Sequence, residues 1–308
     1  MIGIECSQPR ILITGLLMES NILSADETER LDAIAKAFEL EIEEELQRRS
    51  KEKKTMANAE VVKKIVAGKN IIDDSSLSTA RFSKAEWFEK IQQLNVMLVG
   101  VGGIGSNAAY TIAHLHPSTM LLMDGDKVDE VNLAGQYFDT FDIGNKKVNV
   151  MKRKIACLHC YNVVALERNF EPDDFRYLRD KDIVVAGFDN MDARKILFDA
   201  WVNHGQTGSL FIDGRMSVNV FQLFAMRHED KKRIKKYKDE WLFDQEESES
   251  NVCSYKQTYF CATMMSGVIT SLIINYAQNL VCGEDLFPLP FFVEEDTTLL
   301  LRRIENDA

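Results

Sequence analysis

The sequence predicts a doubly wound α/β domain with a largely parallel sheet, preceded by an N-terminal helical extension. Three observations carry that prediction. From Val96 onward short apolar runs alternate with stretches of helical period, the pattern of parallel strands joined by crossover helices. The first apolar run ends in a glycine-rich turn, Gly100, Gly102, Gly103 and Gly105, which opens the next helix. Ahead of this region, residues 24–66 are rich in Glu, Lys, Ala and Leu and repeat apolar residues at Leu31, Ile34, Ala35, Phe38, Ile42 and Leu46, the spacing of one helix face.

The elements follow in order. Ser24 with Glu27 three residues later forms a capping box for the N-terminal helix. Residues 67–80, AGKNIIDDSSLSTA, are small and polar and read as a linker, so residues 1–80 form the arm and linker and the main domain runs 81–308. NVMLVG is a buried strand, SNAAYTIAHL a helix and TMLLMDGD a second strand. KKVNVMKRKIACLH is a helix, NVVALERNF and DIVVAGFD are strands three and four, and NMDARKILFDAWVNHG is a helix. SLFIDGR and VNVFQLFAMR are two more strands, and a C-terminal helix follows Cys253 and contains Cys261, with Cys282 at its end; both of these are expected in the core. Such a Rossmann-like sheet binds its ligand at the carboxyl ends of its strands.

Composition removes several classes of function. A net charge of −11 leaves no basic field to collect nucleic-acid phosphates. No uninterrupted apolar run of about 18 residues is present to span a bilayer. The apolar patch Ile11–Met18 lacks a basic leader and a small-residue cleavage site, so no signal peptide is expected. Six irregularly spaced cysteines then imply reduced thiols and a cytoplasmic location.

The glycine loop alone implies only nucleotide phosphates, because glycines let the backbone approach closely and a helix N-terminus favours negative charge. Asp124, at the end of the second strand, would reach a ribose hydroxyl whether the ligand were NAD or ATP. The segment DGDKVDEVNLAGQYFDTFDIGNKKV separates the two, placing Asp124, Asp126, Asn132, Gln136, Gly144 and Lys147 in an order that hydride transfer does not require. Here the sequence resembles the ThiF/MoeB/HesA superfamily, the adenylating enzymes that activate ubiquitin-like proteins and bacterial sulfur carriers. The resemblance covers roughly Arg81 to Arg303 and rests on the glycine loop, DGDKV, NLAGQ, GNKK and AGFDNMDAR.

The resemblance implies ATP and Mg²⁺ as cofactors, and a ubiquitin-like protein, sulfur carrier or peptide with a free C-terminus as partner; no structural zinc is expected, because only one Cys-x-x-Cys pair is present. It implies that Gly100, Gly102, Gly103, Gly105, Asp124, Asp126, Asn132, Gln136 and Lys147 bind the nucleotide and that Asp189 binds the metal. Lys147 and Asp189 are then catalytic, with Cys253 as a thiol that can receive the activated partner; a homodimer is expected. The plainer alternatives are a surface pair of Lys146 with Lys147, an Asp189 that merely caps the following helix, and a bystander Cys253 beside acidic DQEESES.

Two departures stand out. Where the family carries a phosphate-binding arginine in Asn-Leu-x-Arg-Gln, this chain has Gly135; Arg215 is the candidate replacement, with a solvent-exposed arginine as the alternative. The family's arginine segment before the first strand is represented by Arg81, with Lys84 in place of the second arginine. A lone Cys157-x-x-Cys160 pair lacks a second pair for zinc. HEDKKRIKKYKDEWLFDQEESES reads either as the family's crossover segment, whose Lys231, Lys232, Arg233, Lys235, Lys236 and Lys238 would receive an acidic partner or nucleotide, or as a solvated, flexible stretch. His114 and His116 are placed on different sides of a helix, and none of the five histidines has metal spacing. Two other functions fit parts of this pattern: a nucleotide-binding scaffold weakened by Gly135, and an NAD-dependent oxidoreductase supported by the loop and Asp124 alone.

Overall fold

The computed structural model describes residues 79, 81–82, 84–160, 162–243 and 258–306. The chain divides between Asp74 and Ser75 into two units, and the described residues all belong to the second. The predicted helical arm and Cys253 lie outside the described residues.

In chain order the elements are α1 (Glu86–Ile91), β1 (Asn95–Val99), α2 (Gly103–Ala113), β2 (Thr119–Met123), α3 (Lys147–Ala156), β3 (Val163–Leu166), β4 (Ile183–Ala186), α4 (Met191–His204), β5 (Leu210–Ser217), β6 (Val220–Arg227), α5 (Lys231–Trp241), α6 (Tyr259–Cys282), β7 (Phe292–Asp296) and β8 (Leu301–Glu305). The strands form one sheet in the order β3-β2-β1-β4-β5-β6-β7-β8. β3, β2, β1, β4 and β5 are parallel neighbours. The remaining three are antiparallel. The change of direction at β6 has a simple cause: only Val218 and Asn219 separate it from β5, and a connection that short can only fold the chain back on itself. The sequence analysis did not anticipate β7 and β8.

Alternate residues of each central strand enter two different cores. Val96 and Leu98 of β1 and Ile183 and Val185 of β4 pack on one face with α1, α2, α3 and α6. Met97, Val99, Val184 and Ala186 pack on the other with Leu197, Phe198 and Trp201 of α4 and Tyr237 of α5. Covering both faces explains why these strands read as continuous apolar runs rather than as an alternating pattern. α6 is long and apolar enough to cross a membrane, at 24 residues, but Cys261, Met265, Ile269, Leu272, Ile273 and Tyr276 bury it against the sheet.

Three sequence expectations are corrected here. Cys282 is exposed, because α6 ends there at Gly283 in the left-handed conformation, whereas Cys261 is buried as expected. Residues 231–241 are a helix anchored by buried Tyr237, not a flexible stretch. Much of its charge is used locally: Lys235 pairs with Asp239, Lys238 with Asp199, Lys236 with Glu305 and Arg233 with Asp230. His116 does not share a helix with His114, which caps α2; it lies beyond the helix at φ 51°.

The turn from β1 into α2 is the tightest place in the fold. A Cβ on Gly105 would lie 1.8 Å from the Gly100 carbonyl oxygen, and one on Gly187 would lie 2.8 Å from the same oxygen. Gly100 itself sits at φ 86°, where a side chain is strained. Gly105→Ala should therefore cost about 3 kcal/mol or more, at or beyond the upper end of ordinary overpacking. An unchanged urea midpoint in that variant would contradict this account.

Candidate functional site

The strand order reverses between β1 and β4, and the carboxyl ends of β1, β2 and β4 open there into a cleft of about 290 Å³. Its wall contains Gly100, Gly102, Asp124, Asp126, Gln136, Lys147 and Asp189, so sequence-distant residues meet as the motif order implied. Asn169, Phe170, Phe188, Asn190 and Ala193 complete it together with Val99, Met123 and Gly187. Phe170, Met123, Phe188 and Ala193 give the cleft an apolar portion suited to a flat ring, which the sequence reading missed because it assigned roles only to the polar residues of its motifs.

The polar side is built from loops stitched together by Asp124. This residue is 9% exposed; its Oδ2 accepts the Val101 N–H at 2.7 Å and its Oδ1 accepts the Asp126 N–H at 2.7 Å. One carboxylate thus joins the glycine loop to the segment carrying Asp126. Lys147 is the first residue of α3 and is buried at 6% exposure. Its Nζ donates to Asp126 Oδ2 at 3.0 Å, and its N–H donates to the Asp126 carbonyl at 3.1 Å. Lys146 instead donates to the Gly125 carbonyl, so the two lysines do not form a surface pair.

Gln136 is placed by Ser106, whose hydroxyl in the first turn of α2 accepts the Tyr137 N–H at 2.9 Å. Gln136 is buried, and among the described residues its Oε1 has no hydrogen-bond partner. An unpaired buried amide at the wall of a cleft next to a helix N-terminus is suited to a polar ligand. Asp189 is exposed at the mouth. It does not cap α4: that role belongs to Asn190, whose side chain accepts the Ala193 N–H at 3.0 Å.

Several predicted residues are placed elsewhere. Asn132 lies outside the cleft wall, and its Oδ1 accepts the Asp129 N–H at 2.9 Å within a local turn. Gly103 and Gly105 do not line the cleft; they let α2 begin against the strand ends. Arg81 and Lys84 are exposed. Arg215 is neither solvent-exposed nor in the cleft wall: its Nε donates to Asp213 at 2.8 Å and its guanidinium donates to the Tyr237 hydroxyl at 3.1 Å. Lys147 is accordingly the one cation lining the cleft among the described residues, and no arginine there replaces the side chain missing at Gly135.

Behind the cleft, Asp213 is completely buried in the middle of β5, where its pairing with β4 ends. It accepts Arg194 Nε at 2.6 Å and the Tyr237 hydroxyl at 2.7 Å as well as Arg215. Burial alone would raise its carboxyl, but the Arg194 and Arg215 charges and the hydrogen bonds outweigh it and hold the group below the usual carboxylate range. Burial, and then the neighbouring Asp213, push the Tyr237 hydroxyl well above its ordinary value.

Residues 74–303 match the model of the ThiF family. Over 141 residues the chain is 30% identical to a probable molybdopterin-synthase adenylyltransferase of Pyropia yezoensis, covering 44% of this chain and 37% of that protein. Over 150 residues it is 27% identical to ubiquitin-like modifier-activating enzyme 5 of Xenopus laevis, covering 42% and 36%. The match thus spans little more than a third of these curated relatives. Among solved structures, E. coli MccB with ATP superposes at a TM-score of 0.58 with 15% identity, covering 72% of this chain and 66% of that one. PaaA does so at 0.53 with 17% identity, covering 96% and 81%. Both are likenesses of fold.

Two measurements test this geometry. Asp213→Asn leaves two buried guanidinium groups without their carboxylate and should cost about 3–5 kcal/mol at neutral pH. The wild-type contribution is present above the unfolded carboxylate's pKa of about 3.9 and is lost as pH falls through the depressed folded value. Urea unfolding should therefore show the gap between wild type and variant narrowing below about pH 4; a constant gap would assign the acid sensitivity to other groups.

Proposed function

The chain belongs to the ThiF family, and from that premise we propose that it is an ATP-dependent adenylyltransferase acting on the C-terminal carboxylate of a ubiquitin-like protein, sulfur carrier or peptide. The observation that carries the reading is the convergence on one cleft of the glycine loop at the start of α2, the Lys147–Asp126 pair, the unpaired Gln136 Oε1 and the uncapped Asp189. The names of the curated relatives, an adenylyltransferase and a modifier-activating enzyme, support the same class.

The donor set suits a nucleoside triphosphate with a hard divalent cation. Backbone at Gly100 and Gly102 and the positive end of the α2 dipole favour phosphate oxygens, and Lys147 adds the charge that neutralises them. ATP as substrate supplies the α-phosphorus that the carboxylate attacks and the pyrophosphate that leaves. No group of three His, Cys, Asp or Glu side chains suited to a metal occurs among the described residues. Asp189 would therefore hold Mg²⁺ as a single protein carboxylate completed by phosphate oxygens and water, the usual manner of that ion. Asp126 keeps Lys147 pointed into the cleft before the nucleotide arrives, so little reorganisation is required of it in the transition state. Homodimer formation belongs to this proposal; so does acyl transfer to Cys253.

A second reading, a nucleotide-binding scaffold with little activity, is favoured by Gly135 and by a cleft whose wall holds one lysine and no arginine. ATP–pyrophosphate exchange with Mg²⁺ and added carriers separates the two. Under the adenylation reading exchange requires a carrier and falls about 10²–10³-fold in Lys147→Ala, the loss expected for one transition-state donor. It falls to background in Asp189→Ala. Retention of exchange in both variants would remove the assigned roles, and nucleotide binding without exchange across all carriers would favour the scaffold.

A further inference from the structure

We propose that Arg194 is a positioning residue for Asp189 and that Tyr237 ties this function to α5; the proposal rests on the reading of Asp189 as the metal-binding carboxylate. Asp189 stands in the short turn between Ala186, the last residue of β4, and Met191, the first of α4. Neither strand pairing nor helix bonding fixes the peptide that carries it. The Arg194 guanidinium does: one of its terminal nitrogens donates to the Phe188 carbonyl at 2.6 Å and to the Gly214 carbonyl at 3.2 Å, and its Nε donates to Asp213 at 2.6 Å. Three acceptors on two segments, the turn at Phe188 and the middle of β5, are held by one planar group that is 3% exposed. A lysine could carry the charge but not span that set of directions.

The clamp is itself anchored. Asp213 also accepts from the Tyr237 hydroxyl at 2.7 Å, and Tyr237 is the buried residue of α5, the helix that packs on this face of the sheet. Arg215 completes the cluster, stacked over the Phe224 and Tyr237 rings. Burying one carboxylate with two guanidinium groups is seldom a net source of stability, since desolvation offsets the attraction. Its placement immediately behind the turn that carries Asp189 gives it a different use. A carboxylate that must meet a metal within a fraction of an ångström benefits from a rigid outer shell, and loss of such a shell commonly weakens metal affinity by about 10–100-fold.

The test uses the full chain with Arg194→Lys, with Tyr237→Phe as a milder variant that keeps both guanidinium groups and the carboxylate, and with Asp189→Asn as the reference. Hydrogen–deuterium exchange of the Phe188–Arg194 segment is measured without nucleotide, and the affinity for N-methylanthraniloyl-ATP is measured by fluorescence in EDTA and in Mg²⁺. The expected result is faster exchange of this segment in Arg194→Lys and, to a smaller degree, in Tyr237→Phe. Affinity in EDTA should stay within about twofold of wild type, while the tightening caused by Mg²⁺ shrinks about tenfold in Arg194→Lys and disappears in Asp189→Asn. Exchange at the wild-type rate overturns the proposal. So does an equal loss of affinity with and without Mg²⁺, which would mark Arg194 as a general structural residue. If the wild type binds no nucleotide, the adenylation reading fails, and the exchange result still decides whether Arg194 positions Asp189.

Discussion

The contact among Gly100, Gly105 and Gly187 is the constraint from which the rest of the site follows. Backbone meets backbone there without a Cβ between them, so the end of β1, the first turn of α2 and the end of β4 occupy a space that side chains would otherwise fill. Because that contact is so close, α2 starts directly over the strand ends and points its N-terminal dipole into the cleft. The carbonyl of Gly100 lies at the centre of this contact, and the cleft wall contains both Gly100 and Gly187. Packing geometry and ligand geometry are therefore one feature here, not two.

Around that contact the protein spends charge sparingly. Asp124 is consumed largely in holding loops together, Asp126 in aiming Lys147, and Asp213 in organising two arginines behind the wall. Among the described residues, Lys147, the Gln136 Oε1 and the exposed Asp189 carboxylate remain directed at the cleft. Position 135 is a glycine and offers no side chain, and Arg194 and Arg215 are committed to Asp213.

The parallel half of the sheet was legible because burial on both faces writes continuous apolar runs, and because the glycine loop announces a strand-to-helix turn. The residues of the cleft were legible to the extent that they sit in ordered motifs: Gly100, Gly102, Asp124, Asp126, Gln136, Lys147 and Asp189 all reach its wall. Asn132 and Arg215 were misplaced for the same reason as each other. A motif position states which residue type is present but not which neighbour has already engaged it, and here a turn N–H and a buried carboxylate had done so. Phe170 stands in no motif and Phe188 stands in one without a role of its own, and a phenylalanine after a strand is equally a core residue.

The sequence by itself determined the strand–helix alternation, the glycine turn and the order of polar residues along the chain, because periodicity and backbone permissiveness are local properties. Only the tertiary structure decided the pairing order that brings β1 beside β4, the antiparallel return through β6, β7 and β8, and the division of carboxylates between loop-holding and ligand-facing duties. Those depend on which groups desolvate together, and burial is shared among segments far apart in the chain.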